Sequence, residues 1–345
     1  MDLASVNANS PCCRCVAVLG NTPKLPFTRT SIVCHANGPC FERQSQQGRF
    51  DAVVQVSGKG PPSAAQQNRE AAEMSYVETL FSVEGKTALV TGGATGIGRM
   101  IAVGLVQAGA RVLIASRKGE DCARAADEIN RLGGPGKIEG FAGDVGSEEG
   151  VMALVADVKS RCDRLDILVN NAGVSWGASF EEFPHAAWAK VMSVNVAGLF
   201  TLTRELMPLL LASASDDDPA RVINLGSVMG TQALADGAYS YTASKAAVHH
   251  LTRTLAQELA PRRVTVNAFA PGPFRSKMTA FATGREDQVE RVGAGVPLGR
   301  IGGAEDVAGA TIYLCSRAGA YITGAILPID GGLSVEHGIR LFKDA

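Results

Sequence analysis

From Lys86 onward, short apolar runs alternate with longer amphipathic stretches. Thr87–Val90, Val112–Ala115, Ile138–Phe141, Ile167–Val169, Val222–Leu225, Val264–Phe269 and Ile326–Ile329 read as buried strands. Helical patterns lie between them, near residues 98–109, 120–132, 148–161, 186–213, 239–260 and 304–317. Parallel strands need long crossovers, and helical crossovers cover both faces of a sheet. The alternation therefore predicts one α/β domain on a seven-stranded parallel sheet. Ligands of such sheets bind beyond the carboxyl ends of the strands, so the chemistry belongs just after each run.

Composition narrows the class further. Lys+Arg 33 against Asp+Glu 34 leaves a net charge of −1, which excludes a generally basic nucleic-acid binder. No run of about 18 apolar residues occurs, so no membrane span is expected. The longest candidate, Leu206–Ala214, is short and carries Pro208. Five cysteines (Cys12, Cys13, Cys15, Cys34 and Cys40) crowd the start, whereas Cys122, Cys162 and Cys315 lie far apart. Neither a disulfide framework nor a metal centre is expected, because the early cluster lacks the spaced pairs of a zinc site.

Between Met1 and Phe41 the only acid is Asp2, with Arg14, Lys24, Arg29 and six Ser or Thr. That composition marks an organelle transit peptide, and Ile32–Ala36 suits a plastid-type cleavage region. Residues 1–41 are read as a chloroplast address, with a mitochondrial address or an untargeted cytoplasmic tail as alternatives. The polar residues 42–80 are read as a disordered linker and 81–345 as the domain.

The first strand runs into Thr91-Gly92-Gly93-Ala94-Thr95-Gly96-Ile97-Gly98-Arg99 and then a helix. Gly92, Gly96 and Gly98 allow a tight turn and close backbone approach to a pyrophosphate, which the helix N-terminus attracts. Ile97 belongs to the same loop. The second strand ends in Ser116-Arg117-Lys118, where NAD sites usually place an acid. Arg117 suits the 2′-phosphate of NADP, and a solvated cationic pair is the alternative. Asp144, followed by Val145, is placed to meet an adenine amino group or to cap a turn, and Asn171 to touch a ribose.

Tyr241 and Lys245 share a helix face. A free tyrosine has a pKa of about 10, and a nearby ammonium is expected to lower it, making Tyr241 a proton donor to a carbonyl. A surface pair has the same spacing. Tyr239 lies on a different helical bearing. Ser227 follows the fifth strand and is placed to polarise a carbonyl or to cap a turn. Asn195 sits inside an apolar helix, either as a satisfied core amide or as the holder of a water that relays protons to Lys245.

In order along the chain, Thr91–Gly98, Asn170–Gly173, Asn195, Ser227, Tyr241 with Lys245, and Pro271-Gly272 resemble the short-chain dehydrogenase/reductase family. The resemblance covers about Val83 to Leu333. It implies a Rossmann-type doubly wound sheet and hydride exchange with a nicotinamide. It also implies a catalytic tetrad of Asn195, Ser227, Tyr241 and Lys245, with Lys245 also on the nicotinamide ribose. Phe274 would flank the nicotinamide through its backbone, and Ser276 stands where the family commonly has Thr for the carboxamide. Thr95 stands where many NADP-dependent relatives carry a basic residue, leaving Arg117 and Lys118 for the 2′-phosphate.

Val174–Ala178, Ala220–Ser227, Gly319–Gly324 and Pro328–Gly332 are similar to 3-oxoacyl-[acyl-carrier-protein] reductases, especially the rhamnolipid-pathway type. That similarity implies NADPH-dependent reduction of a 3-oxoacyl thioester. A carbonyl, polyol or sugar oxidoreductase is the alternative, and a non-catalytic NADP-binding scaffold is a third that the intact tetrad opposes. Phe274–Val296 would be a substrate lid whose Arg275, Lys277, Arg285 and Arg291 meet an acyl carrier protein, diluted by Glu286, Asp287 and Glu290. The family also implies a homodimer or homotetramer, paired through residues 186–213, 239–260 and 320–333.

Overall fold

The computed structural model describes residues 75–233 and 237–335, with the backbone of three short strands upstream. Those strands, Thr30–Val33, Phe41–Gln44 and Val54–Gln55, pair antiparallel within a unit, Met1–Glu73, distinct from Met74–Ala345. Most of residues 1–41 lies outside the described residues. The linker reading of 42–80 is corrected where regular structure enters it, most clearly at a helix over Tyr76–Phe81. Ser75 Oγ accepts the Glu78 N–H at 3.2 Å and Glu78 Oε2 accepts the Ser75 N–H at 2.7 Å. This reciprocal cap forms a helix that buries no residue of its own.

The domain is a sheet of seven parallel strands: β1 (Thr87–Thr91), β2 (Arg111–Ser116), β3 (Lys137–Ala142), β4 (Ile167–Asn170), β5 (Ala220–Leu225), β6 (Val264–Pro271) and β7 (Ile326–Ile329). The spatial order is β7-β6-β5-β4-β1-β2-β3. Helices α1 (Gly96–Gln107), α2 (Gly119–Arg131) and α7 (Ala304–Cys315) cover one face. Helices α3 (Glu148–Arg161), α4 (His185–Ser213) and α5 (Tyr239–Leu259) cover the other. A short α6 (Glu286–Ala294) lies in the segment between β6 and β7.

Strand alternation assigns the two cores. Ala88 and Val90 of β1, with Val112 and Ile114 of β2, pack with Ile101 and Leu105 of α1. Leu89 and Leu113 face Leu154 of α3 and Leu206 of α4. The central strands β1, β4, β5 and β6 thus bury both faces and read as continuously apolar, whereas the edge strand β3 alternates buried with exposed residues. Helix α4 is long and apolar enough to cross a membrane by length and composition. Its Leu202, Leu206, Leu209 and Leu210 are instead core residues of this domain.

At the amino-terminal edge of the sheet, Arg221 of β5 is fully buried. Its guanidinium donates to Leu314 O at 3.1 Å, Ser316 O at 2.9 Å and Asp218 Oδ1 at 3.0 Å, tying the end of α7 to the sheet. Asp218 also pairs with Lys86. Removing the guanidinium strips its donor from the Leu314 carbonyl and takes one partner each from Ser316 O, which keeps the Gly319 N–H at 3.2 Å, and from Asp218, which keeps Lys86. Arg221→Ala should therefore cost roughly 3 kcal/mol or more of unfolding free energy in urea titrations. Arg221→Lys should recover only part, because an ammonium cannot reach three divergent acceptors.

Candidate active site

The strand order reverses between β1 and β4, and their carboxyl ends form a crevice there. Thr91 Oγ1 accepts the N–H groups of Asn171 at 3.1 Å and Ala172 at 3.0 Å. Asn171 Nδ2 donates back to Thr91 O at 2.7 Å and Gly92 O at 3.3 Å. Gly92 and Gly96 take φ values of 67° and 56°, in the left-handed region that favours glycine. A Cβ on Gly98 would lie 2.3 Å from Asn171 Nδ2, so the first turn of α1 packs directly on that amide. Asn171 is thus first a strut, its amide nitrogen committed to the glycine loop rather than free for a ribose. Thr91 is the partner that the sequence reading did not single out; its signal is a hydroxyl at the last strand position before the glycines.

Two adjoining cavities open above this junction. One, about 300 Å³, is lined by Gly96, Ile97, Ser227, Tyr241, Lys245 and Ser276 among others. The second, about 370 Å³, is lined by Ser116, Arg117, Lys118, Asp144 and Val145. They share Gly92, Thr95, Ala172, Gly173 and Lys277 and so form one groove along the strand ends. No carboxylate closes β2, where Ser116 Oγ accepts the Lys118 N–H at 3.3 Å. Of the acids that follow at Glu120 and Asp121, Asp121 lines the groove, where it pairs with Arg124 and lies 3.9 Å from Lys277. Asp144 Oδ1 accepts the Gly146 N–H at 2.9 Å while the residue lines the groove. A larger cavity of about 550 Å³ lies beside β7, but its Arg300 and Asp306 pair with each other and no member of the Tyr–Lys–Ser–Asn set faces it.

Helix α5 brings Tyr241 and Lys245 to the first cavity, and the turn after β5 brings Ser227. Ser227 Oγ accepts the Met229 N–H at 3.2 Å, which leaves its own proton available. Lys245 Nζ donates to Leu225 O at 2.5 Å and lies 5.4 Å from the Tyr241 ring centroid. Burial raises the Tyr241 pKa above the ordinary phenol value, and the hydrogen bond with Ser227 only partly offsets it. This corrects the expected lowering by the ammonium: Nζ is directed at a backbone carbonyl, and desolvation wins. Burial likewise brings Lys245 down to about 8. Tyr239 lies outside the site, packed edge-on against Phe180 at 5.9 Å and Phe183 at 5.2 Å.

Asn195 sits in a π-helical turn, Ser193–Gly198, within α4. Its Oδ1 accepts the Val174 N–H at 2.8 Å; its Nδ2 donates to Val174 O at 3.0 Å and Ser244 Oγ at 2.9 Å. Both amide protons are engaged, so a water held by this side chain would have to donate to the remaining lone pair of Oδ1. The amide clamps the loop after β4 to α4 and α5. Phe274 is buried against Gly302, where a Cβ would lie 2.2 Å from the ring, so its side chain belongs to the core. Ser276 rests on Gly96, with its Oγ 3.0 Å from Thr279 Oγ1. Within residues 274–296, Arg275 pairs with Glu286, Lys277 approaches Asp121 of α2 and Arg285 pairs with Asp287. The expected basic rim is therefore largely neutralised by neighbouring acids. His249, one turn beyond Lys245, was not singled out from sequence: it is buried, and its Nε2 accepts the Ser227 N–H at 3.4 Å.

These residues have recognisable relatives. The family model described as enoyl-(acyl carrier protein) reductase matches residues 92–334. The chain belongs to the short-chain dehydrogenase/reductase family. It is 48% identical over 252 residues to the rhamnolipids biosynthesis 3-oxoacyl-[acyl-carrier-protein] reductase of Pseudomonas aeruginosa, covering 73% of this chain and 97% of that one. The galactitol 2-dehydrogenase (L-tagatose-forming) of Cereibacter sphaeroides is 37% identical, covering 74% and 98%. Among solved structures, the Pseudomonas aeruginosa RhlG/NADP active-site complex superposes with a TM-score of 0.71 at 46% identity, covering 74% of this chain and 99% of that one.

The site has a measurable electrostatic consequence. Lys245 falls from 10.5 to about 8 on folding, so the unfolded chain binds the proton more tightly. Stability contributed by this group is present above about 10.5 and is lost as pH falls through about 8. Wild-type protein should thus gain up to about 3 kcal/mol relative to Lys245→Met between pH 8 and 10.5, read from paired urea titrations. A gap independent of pH would show that the ammonium is not desolvated.

Proposed function

We propose that the protein is an NADP(H)-dependent oxidoreductase that reduces a 3-oxoacyl thioester to the 3-hydroxyacyl product. The observation that carries this reading is the Tyr241 hydroxyl, sharing a cavity with Ser227 and Lys245 and kept protonated by burial, in a groove that ends at Arg117. A neutral phenol is a proton donor, which is the state a carbonyl reduction uses. The relatives named for 3-oxoacyl reduction and for NADP support the same substrate and cofactor.

The residues present fit an NADP dinucleotide. The amide groups around Gly92, Gly96, Ile97 and Gly98 would take the pyrophosphate at the start of α1. Arg117 with Lys118 would take the 2′-phosphate, Asp144 and Val145 the adenine, and Lys245 the nicotinamide ribose. The Phe274 backbone and Ser276 would border the nicotinamide. When bound, the reduced nicotinamide supplies a hydride to the carbonyl carbon. Ser227 Oγ–H orients the carbonyl oxygen, and the Tyr241 hydroxyl gives that oxygen its proton, leaving the thioester intact. Asn195 keeps the loop at Val174 in register with α5.

Three finer readings extend this proposal. An acyl carrier protein is the thioester donor, and the chain works as a homodimer or homotetramer through α4, α5 and the β7 region. Residues 1–41 act as a plastid address, supported by their acid-poor, hydroxyl-bearing composition. Isolated chloroplasts should import and shorten the full-length chain but not a chain beginning near Ser75.

Protein beginning near Ser75 should oxidise NADPH when offered acetoacetyl or longer 3-oxoacyl thioesters. Tyr241→Phe should lower kcat by about 10²–10⁴ while NADPH still binds. Arg117→Asp should weaken NADPH relative to NADH by tenfold or more in fluorescence titrations. Folded protein that binds NADPH but reduces only ketoses or polyol-derived ketones would overturn the acyl assignment in favour of the activity named for the galactitol relative.

A further inference from the structure

The turn that carries Ser227 is gripped from one side by an imidazole. His249 is buried on α5, two helical turns beyond Tyr241 and one beyond Lys245, on the same face. Its Nε2 accepts the Ser227 N–H at 3.4 Å, and its Nδ1 lies 3.4 Å from Thr231 Oγ1. Thus both ring nitrogens contact the one short turn between β5 and α5. The turn is shaped to receive the ring: a Cβ on Gly226 would lie 2.2 Å from His249 Nε2, and one on Gly230 would lie 2.7 Å from Cε1. The turn is also tied to β6, where the Gly226 N–H donates to Phe269 O at 2.8 Å.

We propose that His249 is a positioning residue for Ser227, held as the neutral tautomer with Nδ1–H donated to Thr231 and Nε2 free to receive the Ser227 amide. A backbone N–H has only a proton to offer, so the nitrogen that receives it carries none. The remaining proton then resides on Nδ1 and points to the Thr231 hydroxyl. Burial, with Arg253 and Lys245 adding their charge, brings this histidine to about 4, so the neutral form persists through the working range. One face of α5 thereby sets both members of the proton-donating pair. It carries Tyr241 directly and fixes Ser227 through His249. A serine displaced by about 1 Å would no longer orient a carbonyl against the phenol, a misplacement that costs rate rather than binding.

The turnover arm rests on the reductase reading above; the spectroscopic arm does not. In nitrogen-15 spectra of the folded protein, His249 should show protonated Nδ1 and bare Nε2 from pH 6 to 8. An Nε2–H or doubly protonated ring would overturn the assignment. His249→Gln can place its side-chain oxygen near the Nε2 position, whereas His249→Asn reaches only the Nδ1 position. Asn should lower kcat with a 3-oxoacyl thioester by tenfold or more, with KM for NADPH within twofold of wild type, and Gln should restore kcat to within threefold of wild type. In a Ser227→Ala background the Asn change should cost less than twofold further, because its effect passes through that serine. Equal losses in Asn and Gln, or losses that multiply in the Ser227→Ala background, would reduce His249 to general packing. If wild-type protein turned over no 3-oxoacyl thioester, the reductase reading would fail. The positioning role would then be decided by the tautomer and by faster Ser227 amide exchange in Asn than in Gln.

Discussion

The crevice exists because neighbouring parallel strands β1 and β4 send their following segments to opposite faces of the sheet. Such a split leaves backbone groups at the strand ends without ladder partners, in a place too enclosed for loose solvation. Thr91 and Asn171 resolve this reciprocally. One hydroxyl accepts two amide protons from the β4 side, and one amide donates twice to the β1 side. The glycine requirement follows from that tie. Gly98 must lack a Cβ because Asn171 occupies the space, and Gly92 must turn through positive φ to bring its carbonyl to the same amide.

Beneath the crevice the sheet is joined to its helices by satisfied polar contacts rather than by apolar packing alone. Asn170 Nδ2 donates to Thr203 Oγ1 of α4 at 3.0 Å and to Asn224 Oδ1 of β5 at 2.9 Å. Asn224 Nδ2 then donates to Thr252 Oγ1 of α5 at 3.0 Å. Apolar contacts tolerate sliding, whereas a buried amide left without its partner costs roughly 1–3 kcal/mol. This network therefore fixes the register of α4 and α5 on the sheet. The Asn195 amide continues it, joining the π turn of α4 to Val174 and to Ser244, the neighbour of Lys245. The tetrad residues are held by a polar scaffold in which each amide has a defined partner.

The sheet was legible because its central strands are buried on both faces and write uninterrupted apolar runs, while the edge strand β3 shows the alternation of a half-buried strand. The observed strands extend the expected runs by no more than two residues at either end. Tyr241, Lys245, Ser227 and the glycine loop were legible because their spacing on helices and strand ends carries chemistry. What the sequence could not disclose was direction. It showed an Asn at 195 and at 171, but not that the first would face Val174 or the second the Thr91 carbonyl. Nor did it reveal that Lys245 would aim at Leu225 O, which reverses the expected effect on Tyr241. His249 stayed hidden because its partner is a backbone N–H, a group every residue except proline possesses. The helix at Tyr76–Phe81 was missed because a capping box, not an apolar face, makes it.

The corrected electrostatics give the site a preferred starting state. Burial disfavours the charged form of each group, raising the phenol and lowering the ammonium, so neither member readily creates the other's ion. A tyrosinate would need a stronger local cation than an ammonium directed at the Leu225 carbonyl. The protonated phenol is therefore the resting form, with Ser227 lining the same cavity. A site resting as an acid is prepared for a carbonyl oxygen that gains negative character during hydride addition. In reduction the phenol that gives up its proton becomes tyrosinate, and in oxidation that tyrosinate must form before the alcohol is deprotonated. Burial raises the energy of the same ion in both directions, so desolvation of Tyr241 sets the pH range in which each direction runs and not a preferred direction.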